Sequence, residues 1–253
     1  MKIPNRRDVE LNEVHWWSKW ARLRWHGDGF LLSSDDLREP FFNHAGSLTC
    51  AGVSGTVSWA EPHLSRLGMG PSFLIFDSCE ATKTLLSSGY RQVDTMTVLL
   101  SKGAIGAETG NVAATATTPD GWTSVYLRAF YETENLAGVV KPIVSSLLKS
   151  KAAALLESRI GGKTTGVLAL FRTRGIAGIY CVGTAPDHRG EGVATTLLAK
   201  AKEIAESEGR AMVLQTLKSD GTLRFYLDRG FEALYSKSFL EKAQITPEGA
   251  SHK

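Results

Sequence analysis

Residues 186–195 read PDHRGEGVAT. One basic residue, Arg189, is followed by Gly190 and Gly192, and then by small residues that open a helix. A helix beginning at residues 191–193 leaves its first backbone N–H groups without intrahelical acceptors. Those groups, together with the positive end of the helix dipole, suit an anion. Glycines at 190 and 192 keep side chains away, so a pyrophosphate can approach the backbone. Arg189 adds a fixed positive charge. The hydroxyls of Thr195 and Thr196 either assist or sit on the helix surface. The chemistry is phosphate binding, and the question is which phosphate.

Two nucleotide readings fail. The stretch GGKTT (161–165) contains Gly-Lys-Thr, but the earlier glycine of a P-loop would fall on Glu157. It also lies between two strand-like runs, AAALLESRI and TTGVLALFRT, so a hairpin turn is the better reading. A dinucleotide fold wants a third glycine where Thr195 stands, and an acid at the end of the next strand. That strand, AMVLQTL, offers Gln215 and Thr216 instead.

The elements around the loop follow from periodicity. GIAGIYCVGT (175–184) reads as the strand leading into it. Val193, Leu197, Leu198, Ala201, Ile204 and Ala205 form one face of the helix leaving it, which ends at Gly209. AMVLQTL is a strand, TLRFYLDRG a helix stopped by Gly230, and FEALYSKSFL a last strand. Upstream, NVAATATT is a strand, Asp120 caps a helix starting near Trp122, and KPIVSSLLKS is a further helix. In the first part of the chain, residues 9–25 read as one helix, with Trp16, Trp20 and Leu23 on an apolar face. GFLLSSDD and the Gly/Ser-rich NHAGSLTCAGVSGTVSW follow. PSFLIFD is a strand, CEATKTLLSSG a helix ending at Gly89, and YRQVDTMTVLL a strand. The glycine-rich SKGAIGAETGN sets a domain boundary after residue 103, giving domains 1–103 and 104–253. LLSSGYRQVD (85–94) parallels YLDRGFEALY (226–235), a weak repeat suggesting two related units, the first without a PDHRGEGVAT counterpart.

Composition bounds the function. The chain has 253 residues, 43% hydrophobic and 22% charged, with a net charge of +3. That argues against a nucleic-acid binder, and the tryptophans of residues 9–25 read as packing, not as a stacking platform. Cys50, Cys79 and Cys181 show neither CxxC spacing nor an even framework. They read as small core residues in a reducing cytosol. His15 and His26 lack a second ligand at i+3 or i+4, and no metal site is expected. No apolar run approaches bilayer length, so a soluble cytoplasmic protein without a membrane partner is expected.

The residues Arg189-x-x-Gly192-x-Ala194, with the strand IYCVGT before them, Pro186 in the turn, and AMVLQTL and FY…RGF beyond, resemble the motif of the GCN5-related N-acetyltransferases (GNAT) over residues of about 104–240. The resemblance implies an α/β fold, a mixed and mostly antiparallel sheet flanked by helices, with the N-terminal part as a degenerate GNAT-like second domain. It implies acetyl-CoA or a related acyl-CoA as co-substrate, with no metal, and direct transfer to a primary amine acceptor. The cofactor-binding residues would be Val182, Gly183, Thr184, Arg189, Gly190, Glu191, Gly192, Val193, Ala194, Thr195 and Ser219. The pantetheine arm would run along Val182–Thr184, with Gly183 permitting a bulge and the Val182 amide polarising the thioester carbonyl. Tyr226 resembles the family's general acid on the coenzyme sulfur, whereas Leu85 stands at its repeat position. Two departures stand out: Ser219 replaces the family's frequent asparagine, and GIAGIYCVGT carries no acid. Glu132 and Glu134 are candidate bases, although exposed helix-end charges are the plainer reading. Asp187 and His188 read as loop surface. A non-catalytic acyl-CoA-binding sensor remains the alternative function. Acceptor identity and oligomeric state are not legible.

Overall fold

The computed structural model describes residues 3–106, the backbone of 112–113, and 118–242. In chain order the elements are α1 (Arg6–Trp17), β1 (Arg22–His26), β2 (Gly29–Ser33), β3 (Ala45–Ser47), α2 (Val53–Arg66), β4 (Ser72–Phe76), α3 (Glu80–Ser87) and β5 (Tyr90–Ser101). Then come β6 (Val112–Ala113), α4 (Pro119–Phe130), α5 (Ala137–Leu148), β7 (Ala153–Ile160), β8 (Lys163–Thr173), β9 (Ile176–Thr184), α6 (Val193–Ser207), β10 (Ala211–Leu217), α7 (Leu223–Leu227) and β11 (Phe231–Lys242). The chain divides into two compact units: residues 1–20 with 97–235, and residues 21–96 with 236–253. The divisions at 96/97 and 235/236 fall inside the long strands β5 and β11, so each unit contains a strand segment from the opposite part of the sequence.

In the first unit the strand order is β11-β5-β10-β9-β8-β7-β6. β7, β8 and β9 pair antiparallel, and β10 joins β9 in parallel. The β7–β8 turn is Gly161–Gly162, both at positive φ, which confirms the hairpin and disposes of a P-loop at GGKTT. Thr165–Phe171 of β8 is buried without a break, as expected of a strand covered on both faces. Leu168 and Leu170 of β8 share a core with Val193, Leu197, Leu198 and Ala201 of α6, Met212 and Leu214 of β10, and Tyr226. Burying each leucine contributes about 1.5–3 kcal/mol. Gly166 lets α6 rest directly on β8, because a Cβ there would lie 2.3 Å from Val193 Cγ1. That contact sets the height of the α6 N-terminus above the sheet.

The second unit has the order β1-β2-β3-β4-β11-β5, with β3 and β4 parallel and the other pairs among β1–β4 and β11 antiparallel. α2 and α3 follow β3 and β4. Several expectations change. The single helix over 9–25 is α1, ending at Trp17, followed by strand Arg22–His26. The Gly27–Asp28 turn, with Gly27 at φ 57°, closes a β1–β2 hairpin whose pairing overrides the helical spacing of Trp20 and Leu23. The Gly/Ser-rich segment contains β3 and the first half of the 14-residue α2. Cys50 and Cys79, read as unpaired core thiols, form a disulfide with Cα atoms 5.2 Å apart; only Cys181 is free. Thr118 caps α4 instead of Asp120, its side chain accepting from Gly121 N at 3.2 Å, while Asp120 pairs with Lys141. Of NVAATATT, Val112 and Ala113 pair with β7 and Thr118 is the α4 cap; residues 111 and 114–117 lie outside the described residues.

Candidate functional site

The site grows from the parting of β9 and β10. Their parallel register runs from Ala211 opposite Ile176 to Leu214 opposite Ile179 and then stops. β9 continues to Thr184 and β10 to Leu217. At the parting point β9 carries an extra residue relative to β8: Val167 faces Gly183, and Ala169 faces Tyr180. Cys181 takes up this bulge at φ 53°. The bulge therefore lies at Cys181 and not at Gly183. Gly183 is small for another reason: a Cβ there would stand 3.0 Å from both Ala129 and Phe130 at the end of α4. Ala185 N donates to Thr165 O at 2.8 Å across the β8 edge. Antiparallel alternation then turns the peptide groups of Thr184 to the opposite edge, the one β10 has left.

Beyond Thr184 the chain makes a short 3-10 turn, Pro186–His188, and reaches Arg189. Gly190 (φ 86°) and Gly192 (φ 77°) both occupy left-handed backbone, and a Cβ at either would meet nothing within 4 Å. These glycines are required by the path of the chain, which turns the α6 amides outward. Gly192 is the N-cap and offers no side-chain cap, and the first turn of α6 holds no acid. The amides of Val193, Ala194 and Thr195 are thus open to an exogenous anion.

The loop is braced from α4. Arg189 Nη2 donates to Ala129 O at 3.3 Å, and Arg128 pairs with Asp187 at 2.8 Å. His188 Nδ1 lies 2.9 Å from Glu191 Oε2. Asp187 and His188, expected as plain loop surface, are exposed or half-buried and hold these contacts. Thr196 Oγ1 donates back to Gly192 O at 3.1 Å. Thr195 Oγ1 accepts from Arg229 Nε at 2.8 Å. Arg229 escaped the sequence reading. Its guanidinium lies 3.6 Å from the Phe225 ring centroid, and its Nη1 donates to Phe225 O at 2.8 Å. The i,i+4 aromatic–arginine spacing of Phe225 and Arg229 was the available signal.

Tyr226 is 8% exposed, between Phe225 (5.2 Å) and Phe231 (5.8 Å). Burial pushes its phenol well above the ordinary range, the Asp220 carboxylate adds to this, and Arg229 opposes it. It stays protonated at neutral pH and is a donor. Ser219 is exposed in the 3-10 turn Lys218–Asp220, where Asp220 Oδ2 accepts from Leu217 N at 3.1 Å. Of the candidate bases, Glu134 accepts from Ser124 Oγ at 2.8 Å, and Glu132 is exposed at φ 55°. His15 is exposed, with its pKa lowered by partial desolvation and by Lys19; His26 stacks on Trp59. Among the described residues no cluster of His, Cys, Asp and Glu could hold a metal, and no helix is long and apolar enough to cross a membrane.

Comparison with known proteins accords with this geometry. Residues 115–231 match the model of the Acetyltransferase (GNAT) family. A GCN5-related N-acetyltransferase from Kribbella flavida superposes with a TM-score of 0.72 at 15% identity, covering 96% of this chain and 97% of that one. A functionally unknown conserved protein from Staphylococcus epidermidis gives 0.67 at 14% identity, covering 89% and 95%. A GCN5-related N-acetyltransferase from Sphaerobacter thermophilus gives 0.64 at 16% identity, covering 88% and 83%. Among curated proteins none matches significantly. Strand order, open strand edge and family match agree, and the chain carries at residues 115–231 a domain of the GNAT acetyltransferase family.

Proposed function

We propose that the protein transfers an acetyl group from acetyl-CoA directly to a primary amine. The observation that carries this reading is the uncapped α6 N-terminus placed at the mouth of the β9–β10 parting. Arg189 and the amides of Val193, Ala194 and Thr195 would hold the coenzyme pyrophosphate, with Gly190, Glu191 and Gly192 shaping the turn. Thr184, Gly183 and Val182 would present the strand edge to the pantetheine arm. Each backbone hydrogen bond there is worth about 0.5–1.5 kcal/mol net. Together they hold the thioester for attack, and such positioning is a large share of the rate. Tyr226 would protonate the departing thiolate, and Ser219 would stand in for the family's asparagine. The amine proton would leave through water toward Glu132 or Glu134. We read the second unit as a degenerate unit of the same fold.

The alternative, acyl-CoA binding without turnover, draws on the depth of Tyr226 and on Ser219. Release of CoA thiol from acetyl-CoA with a panel of amines separates the two. Amine-dependent release that collapses in Tyr226→Phe supports the enzyme; tight CoA binding with no release from any amine supports the binding module.

A further inference from the structure

We propose that the second unit carries a small-ligand site of its own, a cleft that takes an organic carboxylate with a short apolar body. The β1–β2 register sets Arg24 opposite Leu31 and Arg22 opposite Ser33, so these four side chains share one face of the hairpin. α2 covers that face closely at one end. A Cβ on Gly29 would strike Thr56, and the His26 and Trp59 rings stack at 5.2 Å. Toward the last turn of α2 the covering opens into a cavity of about 230 Å³ lined by Arg24, Leu31, Ser33, His63, Arg66 and Leu67.

The lining combines an apolar floor with cations and contains no acid. Leu31 is 2% exposed. His63 has its Nδ1 2.9 Å from Trp59 O, which fixes the ring. Arg38 lies alongside, donating to Leu67 O at 3.0 Å. The guanidinium groups of Arg24 and Arg66, by contrast, make no side-chain hydrogen bond or ion pair among the described residues. His63 and Arg66 in the last turn of α2 also favour the negative end of the helix dipole. That role does not account for Arg24, which comes from a strand. Two guanidinium forks beside apolar surface suit a planar carboxylate, which each can bind bidentately. The cavity is smaller than those for drug-sized molecules, which fits a small metabolite.

Calorimetric titration of the full chain at fixed ionic strength tests this with three probes: benzoate, inorganic phosphate and benzylamine. Benzoate is expected to bind one to one, benzylamine not at all. Arg24→Ala and Arg66→Ala should each weaken benzoate by roughly tenfold or more, with the thermal midpoint and CoA binding unchanged. Absence of benzoate binding, undiminished wild-type affinity in both variants, or competition between benzoate and CoA overturns the proposal. Phosphate binding as tightly as benzoate with the same arginine dependence overturns the apolar body of the ligand. None of these outcomes depends on whether the protein acetylates amines.

Discussion

The β9–loop–α6–β10–α7 passage and the β3–loop–α2–β4–α3 passage repeat one order of elements around one parallel strand pair. Both helices start at a glycine without a side-chain cap or an acid in the first turn, but the turns that lead into them differ. Before α6, two left-handed glycines turn the chain and leave the first amides uncapped. Before α2, the N-cap Gly52 has φ −78°, and a Cβ there would lie 2.5 Å from Ser47 Oγ and 3.2 Å from Asp28 Cβ. Thr49 Oγ1 donates to Asp28 Oδ2 at 3.1 Å and accepts from Gly52 N at 3.2 Å. The Cys50–Cys79 disulfide ties the same loop to the start of α3. The first passage keeps side chains out and a cation near; the second fills the same place with its own hydroxyls and a carboxylate. Topology alone therefore does not make an anion site. The loop does, through its φ angles and its charge.

The sharpest break in the comparison is expected at the residue four before the terminal glycine, Tyr226 in one passage and Leu85 in the other. Tyr226→Phe should lower kcat by about 10²- to 10⁴-fold, the range for a general acid, with KM for acetyl-CoA nearly unchanged. Leu85→Ala should leave kcat alone and cost only stability. Equal kcat in wild type and Tyr226→Phe would remove the acid role.

The next effect belongs to the disulfide. Cys50 and Cys79 are 29 residues apart, and opening a loop of that size costs about 3–4 kcal/mol in the chain-entropy account. Cys50→Ser, measured by thermal unfolding without reductant, should destabilise the protein by that order while CoA affinity holds. A CoA affinity that falls in step would show that the second loop serves the first.

Acid should also tell the units apart. His44 in the second unit is buried against Phe30, Phe41 and Phe239. Burial lowers its pKa to about 4, the Phe41 carbonyl opposes this, and Lys237 adds to the lowering. In the unfolded chain it titrates near 6.5, so its contribution to stability is whole above 6.5 and is lost as pH falls toward 4. The shift corresponds to about 3 kcal/mol. Hydrogen exchange should show residues 21–96 opening first between pH 6.5 and 4, and His44→Gln should flatten that dependence.

Much of the first unit was legible because its signals are local and mutually consistent. The hairpin at GGK, the run into IYCVGT, the loop and the α6 stripe each have a length and a period that admit one reading. The N-terminal part of the chain was harder. Trp16, Trp20 and Leu23 keep helical spacing across a real helix end, and only the Gly27–Asp28 hairpin, a pairing with residues 29–33, decides against the helix. Cys50 and Cys79 have no motif spacing because the fold, not the sequence, brings them together. At the site, Arg229 and Ala129 were missed for the same reason: each acts on a residue distant in the chain, Thr195 and Arg189. Gly183 was noticed, but for a bulge that Cys181 makes.

The finest test exchanges one atom group between the two N-caps. In Gly192→Ala the added methyl meets nothing, so any loss must come from the backbone, which an L-residue adopts at φ 77° with a strain of about 1–3 kcal/mol. If the chain relaxes, the N-cap swings toward the conformation of Gly52 and the amides of Val193–Thr195 turn from the anion. CoA affinity should then fall roughly tenfold to a hundredfold, with a small change in thermal midpoint. Gly52→Ala reverses the balance. Its backbone is already ordinary, its methyl collides with Ser47 Oγ, and stability should fall while CoA affinity stays. If the two variants behave alike, conformation and space are not what separates the loops, and the charge of Arg189 against that of Asp28 must carry the difference.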